Sequence, residues 1–538
     1  MKPVLVLLDY PTISDLNRTT PFSSGMFHDF RQWLQAAGFN LNDVEFQYVH
    51  NTYPPNNDTD NWFCTKTQYP AKGYKPCCGK YIDPKVFASI ETASQQLKHR
   101  EMIIAAGDLA LMATHKQPSA FNWRGSKIIT GACRVFPIIS PFKATQNFEW
   151  TFYIRHDLQN AFKFWYERQV PPLENFLINP TFAEATTWLS KLLTQPSSRI
   201  GVDIETRFRY ITYISIATSP TTAICVPFVK ADSTTSYWTK EEEEAIVILL
   251  LRVMSRHECV GQNFVYDLQY LARYWGANPK GWKDTMIAWH VLFAGFPRNL
   301  AFLCSMTLPY YSFWKDEGSG HIPDPSEVPA YQRYNCKDAA NTLWAWEIMW
   351  EGANDLQKQL IAEQMDTAYA MYPMMLRGIR QDLAQRKTQL AKAMNLRMQV
   401  EGELMKYTEC LTGGQKLTKG KSDSAWYQSP TQLMKILYTI FGLPVQKSRM
   451  TRKPSTDDDC LKALGDIDPL FRPVFKLILE YRSLGVFIST FLDVRLDWDN
   501  RMRCSYGVGM AETYRCTSSA DAFDFGGNLQ NIPSGNEE

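Results

Sequence analysis

Ile200-Gly201-Val202-Asp203-Ile204-Glu205 alternates apolar and acidic side chains over one short run. In a strand, successive side chains point to opposite faces, so Asp203 and Glu205 share one face and Val202 and Ile204 the other. Two further short β-rich runs, Tyr210–Ala217 and Ala223–Phe228, follow with turns between them, which predicts an antiparallel meander. Thr239 then stands where it can cap a helix whose first turn is Glu241 to Glu244, favourable against the helix dipole. Cys259–Gln262 reads as a fourth strand and Val265–Trp275 as a helix.

Two more acids join the pair from separate elements. Asn263-Phe264-Val265-Tyr266-Asp267 places a carboxylate just past a strand, at a helix start. Tyr334-Asn335-Cys336-Lys337-Asp338 places a phenol and a carboxylate four apart, on one face of a helix predicted over Val328–Trp350. Alone, an Asp-x-Glu on a strand is ordinarily a solvated face, and the other two spacings are weaker still. In this order, each on its expected element, they form a joint pattern. An acidic pair flanked by Val202 and Ile204 is costly to bury without compensation. Divalent cations that prefer oxygen ligands supply it, and two of them about 4 Å apart stabilise the attacking and leaving oxygens of an in-line phosphoryl displacement.

These motifs resemble those of the DnaQ-like 3′–5′ exonucleases, in the version found as the proofreading domain of family A DNA polymerases. Asp284-Thr285-Met286 also fits that family. The resemblance implies a ribonuclease H-like fold and two Mg²⁺ ions, or Mn²⁺, held by Asp203, Glu205, Asp267 and Asp338. It implies that Tyr334 orients the attacking water, and that Asn263 and the backbone near Thr206 steady the terminal nucleotide. Such chemistry needs no side-chain nucleophile.

Downstream, the helical region Asp355–Tyr407 is interrupted near Pro373 and Gly378, and further helices are expected over Thr431–Phe441 and Val474–Asp493. Met374 to Asp382, Ser429-Pro430-Thr431-Gln432-Leu433, Lys453-Pro454-Ser455-Thr456 and Leu479 to Leu484 are similar to the thumb of the same family. Glu512 to Ser519 and Asn528-Leu529-Gln530-Asn531-Ile532-Pro533 resemble the start of its palm. The resemblance implies that Arg515 reaches the primer minor groove and that Asn528, Gln530 and Asn531 line the duplex track. Polar side chains with one Arg suit sequence-independent contact. Val486 and Ile488 stand where this thumb usually carries lysines, and Tyr514–Gly527 is longer than the usual form.

Residues 1 to about 170 alternate strand and helix: Val4–Leu8, Met26–Ala37 stopped by Gly38, Val44–His50, Val86–Lys98 and Glu101–Ala106, with a polar loop over Asn51–Asp83. That alternation predicts an α/β layer with a largely parallel sheet. Pro21-Phe22, Asn51, Ala105-Ala106-Gly107 and Trp123-Arg124-Gly125 are similar to the uracil-DNA glycosylase-like fold, in which Phe22 would stack a base and Asn51 would read its edge. Leu8-Asp9-Tyr10-Pro11 and Ser140-Pro141 depart from that family's catalytic positions. The expectation is therefore a non-catalytic module that contacts DNA or docks a partner; an unrelated α/β module is the alternative.

The balance of 57 Lys+Arg against 55 Asp+Glu, net +2, excludes a strongly basic nucleic-acid coat, though not a local basic groove. Hydrophobic residues at 45% and charged ones at 21% exclude a disordered or fibrous chain. No run approaches the roughly 20 apolar residues of a membrane helix. Twelve cysteines without a small-scaffold pattern fit a reducing cytoplasm, the host's if the source is a bacteriophage. Cys64, Cys77 and Cys78 cluster locally, either as free thiols or as part of a metal site.

The expected architecture is α/β and α+β multidomain: an α/β module over 1–170, a ribonuclease H-like exonuclease over 171–352, and a mostly helical thumb with partial palm over 353–538. The expected function is a metal-dependent 3′–5′ exodeoxyribonuclease and DNA-gripping part of a split or truncated family A polymerase from DNA replication. Its partners would be a single-stranded 3′ end, primer-template duplex, and a second polypeptide carrying the rest of the palm and the fingers. The polymerase aspartates and fingers helix lie beyond the Asn528–Pro533 landmark in that family, so no nucleotide incorporation is expected from this chain alone. The alternative is a non-enzymatic processivity subunit with a decayed exonuclease.

Overall fold

The computed structural model describes residues 3–17, 22–55, 59–66, 73–97, 100–231, 234–318, 325–413 and 425–531. Pro21, Ile532, Pro533 and the stretch to 538, all used in the sequence reading, lie outside the described residues. The chain is mixed α/β and divides into two units, Met1–Met365 and Asp366–Glu538.

The first unit holds two main sheets. In the first, β1 (Val4–Leu8), β2 (Val44–Tyr48), β3 (Met102–Ala106), β4 (Ile128–Thr130) and β5 (Cys133–Ile138) lie in the order β2-β1-β3-β5-β4. All pairings are parallel except β4 with β5. Every side chain of β1 and β3 is buried, as expected of central parallel strands covered on both faces. The expected loop over Asn51–Asp83 contains a small antiparallel sheet, Phe63–Cys64, Lys80–Ile82 and Lys75–Cys77. Helix α1 (Asp108–His115) starts directly after β3.

In the second sheet, β6 (Asn175–Leu177), β7 (Arg199–Arg207), β8 (Tyr210–Ser219), β9 (Thr222–Pro227), β10 (Glu258–Gly261) and β11 (Lys283–Asp284) lie in the order β11-β10-β7-β8-β9-β6. The pairs β7–β8 and β8–β9 are antiparallel, which is the predicted meander, and β10 pairs parallel to β7. Helix α2 (Lys240–Arg256) begins in a capping box of Thr239 and Glu242, so two of its unpaired first-turn donors are satisfied reciprocally. Helix α3 is Val265–Trp275, and α4 is Val328–Gly352. Tyr213, Ala217, Cys225, Cys336, Ala339 and Ala340 form a buried cluster between α4 and the meander. The small residues let helix and sheet backbones approach closely.

Helix α5 (Asp355–Arg377) crosses the division between the units and carries Pro373 inside it. In the second unit, α6 (Leu383–Lys406) and α7 (Arg472–Phe487) contribute to one core of Val400, Leu404, Leu433, Ile436, Leu461, Leu464, Phe475 and Ile478. Ser505–Gly507 and Thr517–Ser519 pair as a short antiparallel ribbon. Among the described residues, no helix is long and apolar enough to cross a membrane.

Candidate active site

Strand β7 presents Gly201, Asp203 and Glu205 on one face, and α4 lies over that face. A Cβ on Gly201 would stand 2.1 Å from the Ala339 carbonyl oxygen, so only glycine admits this approach. It sets Asp338, the residue before Ala339, against the strand's acids. Ligand oxygens of Asp203, Glu205 and Asp338 all lie within 4.8 Å of one another. Among the described residues this is the grouping of side chains able to hold a metal, and its all-oxygen donor set suits Mg²⁺ or Mn²⁺.

Each acid is fixed by a neighbour. Asn335 Nδ2 donates to Asp203 Oδ2 at 2.6 Å, and Asn335 Oδ1 accepts from the Ser215 hydroxyl, which sets the amide orientation. Tyr331 donates its hydroxyl to Glu205 Oε2 at 2.8 Å. Asp338 Oδ1 accepts from Trp314 Nε1 at 2.7 Å and from Lys315 Nζ at 2.6 Å, and Lys315 also donates to the Tyr334 hydroxyl at 3.2 Å. Burial, reinforced by the Asp338 charge, pushes Glu205 up to about 7 from the ordinary 4.5. Burial and the charges of Asp338, Asp267 and Glu205 hold Asp203 well above the usual carboxylate range. Burial would pull Lys315 down, but the facing Asp338 and Asp203 outweigh it, and its pKa is raised. Burial and the nearby acids raise Tyr334, keeping a neutral phenol.

Asp267 is buried at the first turn of α3 and turns one oxygen onto β7, where Oδ1 accepts the Ile204 N–H at 3.0 Å. It adjoins the cluster, outside the group whose ligand oxygens all lie within 4.8 Å of one another. Asn263 adopts a left-handed φ of 52°. That turn is held by Asp284, whose two oxygens accept the N–H groups of Asn263 and Phe264 at 3.0 and 2.8 Å. Thr206 and Tyr266 share a hydroxyl hydrogen bond of 2.9 Å. Beside them the β7–β8 hairpin turns through Phe208 and Arg209, both at positive φ, and exposes the Phe208 and Tyr210 rings.

The sequence reading missed Trp314, Lys315, Tyr331 and Asn335. Tyr331 had a signal: it lies three residues before Tyr334 and seven before Asp338, on the same helix face. Trp314 and Lys315 come from a loop, where no periodicity marks them.

The remaining expected residues lie elsewhere. Arg515 is exposed, in the second unit, two residues before the Thr517–Ser519 strand. Near it, Gln530 Nε2 donates to the Cys516 carbonyl at 2.9 Å, the Gln530 N–H donates to Asn528 Oδ1, and Asn531 is exposed. The Cys77 and Cys78 sulfurs are 3.5 Å apart, and Cys64 lies across a strand pair from Tyr81. Beside the N-terminal sheet, Phe22 is half-buried. It packs against Tyr48, Phe27 and Phe46 at 4.7, 5.1 and 5.7 Å, because the apolar ring is better buried among its neighbours than in water. Asn51 is exposed. A cavity of about 400 Å³ beside Asp9 is lined by Tyr10, Tyr53, Trp62, Ser140 and Lys143 among others, and neither Phe22 nor Asn51 is among its described lining residues.

No family model matches the chain. Parts of it are similar to DNA polymerase I. The Pseudomonas aeruginosa enzyme is 38% identical over 109 residues, 20% of this chain and 11% of that protein. The Streptococcus pneumoniae enzyme is 34% identical over 143 residues, 26% of this chain and 15% of that protein. The Synechocystis enzyme is 36% identical over 111 residues, 20% of this chain and 10% of that protein. The matched segments thus span a small fraction of the length of these relatives. Among solved structures, the POL domain of Pol1 from M. smegmatis, in complex with DNA primer-template and dNTP, aligns with a TM-score of 0.43 and 18% identity. That alignment covers 67% of this chain and 56% of that one.

Proposed function

We propose that this chain, related over part of its length to DNA polymerase I, is a metal-dependent 3′–5′ exonuclease acting on DNA. The observation that carries the reading is the convergence of Asp203, Glu205 and Asp338 within 4.8 Å, from a strand and a helix far apart in sequence. Bound divalent ions would supply a hydroxide at neutral pH and charge stabilisation at the departing 3′ oxygen. In this reading Asp203, Glu205 and Asp338 hold the ions, and Asp267 completes the ligand set from α3. Tyr331 and Asn335 keep Glu205 and Asp203 aimed inward. The neutral Tyr334 phenol orients the attacking water. Asn263, on its left-handed turn, and Thr206 steady the terminal nucleotide. The exposed Phe208 and Tyr210 rings, with Arg207 and Arg209 beside them, offer stacking and phosphate contact to the strand that leads in. Arg515, Asn528, Gln530 and Asn531 belong to a duplex-contacting part. The functional divisions are 1–170, a module without base-excising chemistry, 171–352, the exonuclease, and 353–538, the DNA-gripping part.

The test is a 5′-labelled single-stranded oligodeoxynucleotide with Mg²⁺. Stepwise shortening from the 3′ end is expected, suppressed by a chelator. Asp203→Ala should slow it by more than about 100-fold, since even groups that only support metal ligands cost about 10–100-fold. An unchanged rate in that variant would remove the assignment.

A further inference from the structure

Asp338 Oδ1 is already taken twice, by Trp314 Nε1 at 2.7 Å and Lys315 Nζ at 2.6 Å. A carboxylate oxygen has two lone pairs, so a third partner at that atom must displace one of these donors. The two donors differ in their freedom. Trp314 is a fully buried indole within a packed interior. The Lys315 side chain is 30% exposed, on a flexible four-carbon stem that can swing its charge to water.

The backbone beneath them is fixed from the N-terminal layer. The Lys127 N–H donates to the Tyr311 carbonyl at 2.7 Å, and the Phe313 N–H donates to the Ser126 hydroxyl at 3.0 Å. The Phe313 ring packs on Trp123 with centroids 5.2 Å apart. Two residues beyond Lys315, Glu317 pairs with Lys337 of α4 at 2.7 Å. The segment is therefore held on both sides of Lys315, and only its side chain is free to move. The Lys315 ammonium also lies over the Tyr334 and Trp314 rings, 5.0 and 5.5 Å from their centroids, a second cradle that favours a cation at this point.

We propose that Lys315 is a tethered counter-cation of the acid cluster: its ammonium holds Asp338 when no metal is bound and leaves when a divalent ion arrives. Carboxylates this close repel one another when ionised, and a positive charge supplied by the chain offsets part of that repulsion. The same charge competes with the metal, so its removal tightens metal binding. This rests on the reading of the cluster as a metal centre.

The test uses the full chain and Mn²⁺. Brief acetylation with an amine-reactive ester, read by peptide mass spectrometry, should label Lys315 about fivefold faster with Mn²⁺ than with a chelator, as the ammonium moves to solvent. Labelling of Lys127, whose amine is anchored to Gln169 Oε1 at 2.6 Å, should not change. By calorimetry, Lys315→Gln should bind Mn²⁺ about tenfold more tightly than wild type, and Lys315→Arg should stay near wild type because the charge remains. Wild-type protein that binds Mn²⁺ with Lys315 labelling unchanged overturns this inference alone, as does a folded Lys315→Gln that binds no more tightly. Wild-type protein that binds no Mn²⁺ and leaves the oligonucleotide intact overturns the metal-centre reading, and this inference with it. The labelling arm needs no variant, so it decides the matter even where Lys315→Gln fails to fold.

Discussion

Asp203 lies on a central strand of a sheet in the first unit and Asp9 directly follows another, and burial raises the pKa of both, Asp9 to about 7. Their surroundings part company at the next atom. Asp9 Oδ2 accepts the Asp108 N–H at 3.0 Å and Oδ1 the Ala110 N–H at 2.9 Å, so it closes the start of α1. Gly107, at φ 122°, makes room for it: a Cβ there would stand 2.1 Å from Asp9 Oδ2. The Asp9 carboxylate thus spends both oxygens on the protein's own backbone. Asp203 faces two other carboxylates and takes one side-chain donor, Asn335. A buried acid with a raised pKa is therefore not by itself a catalytic group. Convergence with other ligands separates the two.

The sharpest break is a double dissociation. Asp203→Ala should cost more than about 100-fold in exonuclease rate. Asp9→Asn should leave the rate near wild type, because both Asp9 carboxylate oxygens bond the backbone at the start of α1. It replaces one accepting oxygen with an amide that cannot accept, which strands a buried N–H at a cost of about 1–3 kcal/mol in chemical denaturation. If Asp9→Asn slows the nuclease as much as Asp203→Ala, the distinction fails.

Gly201→Ala acts on the meeting of strand and helix rather than on a ligand. The added Cβ would push the Ala339 carbonyl, and with it Asp338, away from Asp203. Overpacking of this kind costs about 1–3 kcal/mol, so the melting temperature should fall. The Mn²⁺ concentration for half-maximal rate should rise, because the ligands no longer converge. A fall in melting temperature with unchanged metal dependence would leave Gly201 as packing alone.

The pH dependence sharpens the comparison. A carboxylate whose pKa is raised by folding binds its proton more tightly in the native than in the unfolded state. Stability is then highest below the unfolded pKa and is lost as pH rises towards the folded one. For Glu205 the loss accrues between the ordinary 4.5 and about 7, and for Asp9 between 3.8 and about 7. Chelated protein should therefore become less stable to denaturant across that window. Mn²⁺ should restore the share owed to the acid cluster and leave the share owed to Asp9. In Asp9→Asn the second share should vanish. A fall that Mn²⁺ does not touch would place its origin outside the cluster.

Legibility in the sequence followed how local each feature is. The helix Val265–Trp275 matches its predicted limits, and the three meander strands fall within two residues of theirs, because apolar pattern and turns define them locally. The Asn51–Asp83 stretch read as a loop because its strands are two or three residues long, and one of them is Lys75-Pro76-Cys77. Of the two interruptions read from the sequence, Pro373 lies inside α5, whereas Gly378, at φ 61°, does end it after Arg377. In the site, the acids were legible because each sits on a regular element at a fixed spacing. Their supports on the 309–318 segment were not, since contacts with the N-terminal layer and with α4, and no local pattern, bring Trp314 and Lys315 to Asp338.

The smallest effect belongs to Tyr331. Its hydroxyl donates to Glu205 at 2.8 Å, and this hydrogen bond lowers the Glu205 pKa against the stronger effect of burial. Tyr331→Phe keeps the ring, which packs on Tyr213 and Tyr334 at 5.5 and 5.8 Å, and removes only the donor. Glu205 should then rise further above about 7, and the acid limb of the rate profile should move to higher pH. A hydrogen bond to a charged group contributes about 1.5–3 kcal/mol, so at neutral pH the rate should fall by about tenfold or more. As pH rises and Glu205 ionises in both proteins, the gap should narrow. An equal loss at every pH would mean that Tyr331 supports the fold of α4 against the sheet and does not tune the carboxylate.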